Sequence, residues 1–149
     1  MILQERLTSD LRQALKEGDT TRRSVIRLVI AGVKNAEIAK GAPLDDSGIV
    51  DVIAKEVKQH RESIAEFSKG NRQDLVNKEE AELAILFGYL PQQMSREEIV
   101  ETARRLIEQV GARGPGDKGK VMSQLMPQLK GRADGREVSD VVSELLAGS

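Results

Sequence analysis

Two stretches of this 149-residue chain hold residue types that could do chemistry. The first is Gly114-Pro-Gly-Asp-Lys-Gly119-Lys120, which reproduces seven positions of the phosphate-binding pattern Gly-x4-Gly-Lys. At the eighth position stands Val121, where the pattern needs a Ser or Thr hydroxyl to hold magnesium. What precedes the loop reads as a helix, whereas a nucleotide-hydrolysing loop follows a strand. A basic, glycine-rich loop at a helix start can still receive a phosphate, because unpaired amides and the positive end of the helix dipole meet there. The competing reading is a plain solvated turn.

The second stretch pairs His60, the only histidine, with Glu79, Glu80 and Glu82. On a helix His60 projects within the arc of Ile49, Ile53, Ile64 and Phe67, which suits a hydrogen-bonded boundary residue. No serine or carboxylate has a spacing that identifies a relay with it, and a single histidine argues against an all-protein zinc site. Glu79 and Glu82 share a helical face with Leu75, Leu86 and Leu90, so both are candidates for partial burial. Buried carboxylates need partners. Arg23, Arg27 and Lys34 form one basic stripe at 100° per residue and can supply them. The expectation is an internal ion-pair seam between the second and fourth helices. The alternative is a metal-dependent hydrolase using Glu79, Glu82 and His60.

Charge distribution adds a further candidate. The net charge is −1, so the chain has no global nucleic-acid signature. Residues 22–34 nevertheless carry Arg22, Arg23, Arg27 and Lys34 with no acid. Residues 111–136 carry six bases (Arg113, Lys118, Lys120, Lys130, Arg132 and Arg136) against Asp117 and Asp134. Such local patches can steer an anion even on a near-neutral chain. With two Phe, one Tyr and no Trp, a stacking platform for single strands is excluded. Any RNA recognition would therefore work through shape and phosphates, and would be sensitive to salt.

Glycine and proline punctuate the elements that must position these residues. Residues 2–17 read as an amphipathic helix ending at Gly18. Asp19 or Thr20 caps a second helix to about Lys40, stopped by Gly41-Ala-Pro43. Asp45, Asp46 and Ser47 supply caps for a third helix ending near Gly70. A fourth starts at Asn71 or Asp74 and ends at Pro91. Ser95 and Glu98 form a capping box, with Met94 and Ile99 placed as a hydrophobic staple. That helix carries Ile99, Ala103, Leu106, Ile107 and Val110. Asp117 is expected to cap a short helix kinked at Pro127, and Val138, Val141, Val142 and Leu145 mark the last. No window alternates with period two. The fold class is all-α: a four-helix part over residues 1–91 and a small three-helix domain over residues 94–149.

Hydrophobic residues make up 39% and charged residues 32% of the chain, enough to bury an aliphatic core and keep a wettable surface. Cysteine is absent, which removes disulfides, thiolate nucleophiles and zinc–thiolate sites together. Charges within the first six residues interrupt any apolar signal segment, and no stretch approaches the roughly 18–20 apolar residues of a membrane span. A cytoplasmic location is expected, with no membrane partner.

The order of motifs carries a resemblance. Arg27-Leu-Val-Ile-Ala-Gly-Val-Lys34-Asn35-Ala-Glu37-Ile38 resembles the second-helix signature of the YqeY family. Similar to the same family are Lys58-Gln-His60-Arg61-Glu62-Ser63-Ile64 with Phe67, and Gly70-Asn71-Arg72-Gln-Asp74-Leu75. So are the stretch from Lys78 to Pro91, Gly119-Lys120-Val121-Met122, and Lys130-Gly131-Arg132-Ala133-Asp134-Gly135 with Val138. His60 departs from the pattern, which has arginine or another long polar residue there. The resemblance implies an all-helical fold of four helices followed by three. It also implies likeness to the C-terminal tail of the B subunit of the glutamine-dependent aspartyl/glutamyl-tRNA amidotransferase, a tail that helps to hold tRNA. The family label is a carbon–nitrogen ligase with glutamine as amido-N donor. Read from its own residues, the chain has no nucleophile, ATP site or metal cage, so it is expected to have no catalytic, cofactor or metal residues.

The leading expectation is a tRNA-binding or amidotransferase-associated module, with tRNA or another structured RNA as ligand and an amidotransferase or another translation-related protein as partner. Lys118, Lys120, Lys130, Arg132 and Arg136 would meet phosphates, and Arg23, Arg27 and Lys34 would form a secondary surface. The alternative is a helical protein-interaction module whose bases serve internal ion pairs.

Overall fold

Local capping signals dictate where most of the helices begin and end. The structure, a computed structural model, describes residues 2–148, and among these there is no strand. Seven α-helices follow in order: α1 (Ile2–Glu17), α2 (Thr20–Lys40), α3 (Asp46–Lys69), α4 (Gln73–Phe87), α5 (Arg96–Val110), α6 (Lys118–Leu129) and α7 (Gly135–Ala147). A 3-10 turn, Pro115–Asp117, precedes α6. The chain divides into two compact units, Met1–Leu90 and Pro91–Ser149.

In the first unit, Gly18 takes a left-handed φ of 69° and lets the chain reverse after α1. The Asp19 carboxylate then accepts the Arg22 N–H at 3.1 Å and caps α2. Gly41, with φ 74°, closes α2 by donating to the Glu37 carbonyl. The Glu37 carboxylate reaches onward to the Leu44 N–H at 2.9 Å and fixes the connection. Asp45 caps α3 through the Gly48 N–H at 2.8 Å, and its neighbour Asp46 accepts the Leu3 N–H at 3.2 Å. One acid thus starts α3 while the next ties α1 to it.

The fourth helix differs from its sequence expectation at both ends. Arg72 occupies the N-cap position and its side chain caps nothing; it pairs instead with Asp74 at 3.0 Å. Ahead of it Asn71 adopts φ 55°, a left-handed geometry that Asn tolerates better than most residues. At the other end α4 stops at Phe87, not at Pro91. Gly88, Tyr89 and Leu90 donate to carbonyls three residues back, tightening the last turn into 3-10 form. Pro91 explains this, since it drives Leu90 away from helical geometry.

The core of this unit is aliphatic. Leu7, Val25, Ile26, Val29, Ile49, Ile53 and Leu86 are almost wholly buried, and Tyr89 is the one buried aromatic among the described residues. The helices α3 and α4 share the most extensive contact of any helix pair.

In the second unit the capping box is present in full. Ser95 Oγ accepts the Glu98 N–H at 3.2 Å, and Glu98 Oε1 accepts the Ser95 N–H at 3.3 Å. Met94 and Ile99 both pack in the same core. Asp117 is a correction: it is not a side-chain cap for α6. Its carboxylate accepts the Arg113 N–H at 2.9 Å and closes the loop upstream. Helix α6 runs through Pro127 to Leu129. The missing N–H falls in the last turn, where only one hydrogen bond is forfeited. Asp134 caps α7. Ile99, Ala103, Val121, Leu125, Val138, Val141 and Val142 fill a core with no aromatic residue, for residues 91–149 contain none.

Replacing Ser95 by Ala removes the acceptor that α5 depends on. Chemical denaturation of the whole chain should show a loss of about 1 kcal/mol for the transition that involves α5.

Candidate functional site

Three groupings of polar residues stand out, and the first lies between α3 and α4. Along α3 the buried stripe Ile49, Ile53, Val57 continues directly into His60, which is only 7% exposed. On α4 the spacing Glu79, Glu82, Leu86 keeps both carboxylates on the face turned to α3. His60 Nδ1 donates to the Glu56 carbonyl at 2.8 Å, since a carbonyl can only accept. Its Nε2 lies 3.5 Å from Glu79 Oε2 and 3.8 Å from Glu82 Oε2. One atom from each of the three side chains falls within 4.8 Å of the others. These three donors are the described residues that could hold a metal ion.

The expected seam between α2 and α4 is not what the structure shows. Among the described residues, Arg23, Arg27 and Lys34 have no carboxylate within ion-pair distance; Glu79 and Glu82 face His60 instead. Burial explains the difference. Helix α2 turns Val25, Ile26, Val29 and Val33 inward, which leaves Arg27 and Lys34 exposed and Arg23 half-buried.

The second grouping escaped the sequence reading. Tyr89 Oη donates to Asp10 Oδ2 at 2.5 Å, and Arg22 Nη2 approaches the other oxygen of Asp10 at 3.3 Å. Arg6 donates to the Gly88 carbonyl at 2.7 Å and places its guanidinium 4.6 Å above the Tyr89 ring. Burial first, then the hydrogen bond to the Asp10 carboxylate and its charge, push the Tyr89 phenol well above its ordinary range. Residues 79 positions apart leave no periodic trace in a sequence. The one available signal was the chain's single tyrosine, placed just after an apolar helix end.

The third grouping is the set of bases in the second unit. Lys120 Nζ donates to the Val110 carbonyl at 3.4 Å, at the C-terminus of α5. Arg132 Nε donates to the Gln92 carbonyl at 3.0 Å, and its own carbonyl accepts the Met94 N–H at 2.8 Å. Both are therefore built partly into the fold. Lys118 is half-buried at the start of α6, Lys130 is exposed at its end, and Arg136 is exposed in the first turn of α7. The Gly114–Lys120 loop follows a helix and carries the Asp117 carboxylate within it.

Tyr89→Phe should lower stability by about 1 kcal/mol, because it strips a donor from a partly buried carboxylate that keeps Arg22. The raised phenol also sets a sign. Stability from Tyr89 is complete below about pH 10, the value for a free phenol, and is lost as pH rises beyond it. Tyrosinate absorbance reads this directly, since the chain has one tyrosine. Titration of the native protein should lag behind that of the denatured protein, and the alkaline loss should be missing from the Phe variant.

Comparison with known sequences adds an independent line. Residues 4–146 match the family model described as Yqey-like protein. A protein of Pyrenophora tritici-repentis named altered inheritance of mitochondria protein 41, mitochondrial, is 32% identical, covering 95% of this chain and 79% of the relative. Proteins of the same name from Lachancea thermotolerans and Kluyveromyces lactis are 42% and 44% identical over 58% and 62% of this chain. The matched segments span 46% and 52% of those two relatives, about half their length. The expected cytoplasmic location is overturned by these names, which say mitochondrial. It rested on missing features, and a lack of cysteine does not choose between one reducing compartment and another. No helix among the described residues is long and apolar enough to cross a membrane.

Proposed function

The chain belongs to the YqeY-like family, and from that premise we propose that it is an accessory module that binds tRNA or another structured RNA through phosphates and catalyses nothing alone. In this reading it works beside a tRNA amidotransferase or another translation-related protein. The carbon–nitrogen ligase label would then describe a reaction that the module serves. Its N-terminal four helices and C-terminal three helices are the two parts of the module, the second like the amidotransferase B-subunit tail.

The observation that carries this reading is the uncommitted charge on α2. Arg27 and Lys34 are exposed, and among the described residues neither has a carboxylate partner. Both are available for a polyanion without breaking any contact of the fold. In the second unit Arg136 is a further exposed cation, and Lys118 a half-buried one. Recognition would be by shape and phosphate, because Tyr89 is buried against Asp10, Phe87 is half-buried under Arg61, and a half-buried Phe67 alone makes no stacking platform.

A second reading has an observation of its own. Leu28 and Ile38 are 45% and 79% exposed and lie on the same outer third of α2 as Arg27 and Lys34. A mixed apolar and basic face of that kind suits a protein partner with an acidic rim.

Binding of labelled tRNA at two salt concentrations separates the two readings. With about four phosphates contacted, a fourfold rise in salt should weaken binding about a hundredfold. Arg27→Glu with Lys34→Glu should lower the salt slope by about two. Affinity that ignores both changes leaves the protein-docking reading standing alone.

A further inference from the structure

We propose that His60, Glu79 and Glu82 form a site for one divalent transition-metal ion of the zinc type, which clips α3 to α4. A pair of glutamates alone would not carry this. The argument starts from the ring of His60, which is more than nine-tenths buried and aimed between the two carboxylates.

Its Nδ1 hydrogen is committed to the Glu56 carbonyl. A neutral ring therefore turns a bare lone pair on Nε2 toward two anionic oxygens. At 3.5 and 3.8 Å neither oxygen is within a normal hydrogen-bond length of Nε2. Three lone-pair donors facing one another across a low-dielectric contact repel unless a positive species sits among them. A backbone carbonyl holding Nδ1–H is also the usual second partner of a metal-bound imidazole, because it fixes the tautomer that leaves Nε2 free to ligate.

Dimensions agree. With metal–ligand bonds of about 2.0–2.2 Å, the edges of a tetrahedron are about 3.3–3.6 Å. The two measured edges from Nε2 are 3.5 and 3.8 Å, and every pair of donor atoms lies within 4.8 Å. Movements of a few tenths of an ångström to about an ångström in the glutamate side chains, which keep 20% and 16% exposure, close the rest. One imidazole nitrogen and two carboxylate oxygens suit zinc or a similar ion better than calcium or magnesium, which prefer all-oxygen shells of six or more ligands. Three protein donors leave a fourth position for water.

Calorimetric titration of the tag-free full chain with Zn2+ alone tests this. One equivalent should bind, and Co2+ in its place should give the visible absorption of a tetrahedral ion. Resonances of the single histidine should shift in step with occupancy. Glu79→Gln and Glu82→Gln should each weaken Zn2+ binding at least about tenfold. Glu80→Gln, exposed on the same helix, should leave it unchanged. Circular dichroism confirms that each variant is folded, so loss of binding is not loss of structure. No Zn2+ uptake by the folded native chain overturns the proposal. Uptake that survives both glutamine variants, or leaves the histidine resonances in place, overturns it equally. The grouping would then be a protonated imidazole held by its carboxylates.

Discussion

The carboxylate of Asp10 is the hinge pin of the first unit. It accepts the phenol of Tyr89 from the turn after α4 and faces the guanidinium of Arg22 at the start of α2. The start of α2 and the turn after α4 thus meet on one side chain of α1. An aliphatic core supplies the driving force and, through interdigitation, part of the register of these helices, but burial itself is non-directional. Directional bonds at the helix ends fix the rest. The same turn brings Gly88 to Arg6, whose stacking on Tyr89 covers the ring's outer face. This corner ties down the C-terminal end of α4, and the broad packing of α4 on α3 sets Glu79 and Glu82 against His60.

What a sequence reveals and what it hides divide along the range of the interaction. Gly18, Asp19, Gly41 and the Ser95–Glu98 box act within four residues, and each does in the structure what its local chemistry demands. The exceptions are instructive. Asp117 has the right type and place for a cap, yet Arg113 offers a competing amide four residues upstream and takes the carboxylate. Helix α4 loses its last residues to a proline whose effect propagates backward through Leu90.

The polar pairings were legible only by half. His60, Glu79 and Glu82 could each be assigned to a buried face, because the wheel of a helix gives that much. Which neighbouring helix that face meets depends on packing, and packing places α3, not α2, opposite the carboxylates. Asp10 with Tyr89 had no local signature at all. The bases divide likewise. Arg27 and Lys34 stay outside as their stripe requires, whereas Lys120 and Arg132 spend donors on carbonyls that no periodicity could have announced.

The aliphatic character of the second core has an optical consequence. Residues 91–149 hold no chromophore that emits, so fluorescence excited near ~280 nm, where phenylalanine hardly absorbs, originates with Tyr89 and reports on the unit Met1–Leu90. Far-ultraviolet ellipticity, by contrast, registers helices in both units. Melting curves recorded by the two methods on one sample therefore watch different parts of the chain. Unfolding of α5, α6 and α7 enters the second curve and is silent in the first, and so is seen without a label.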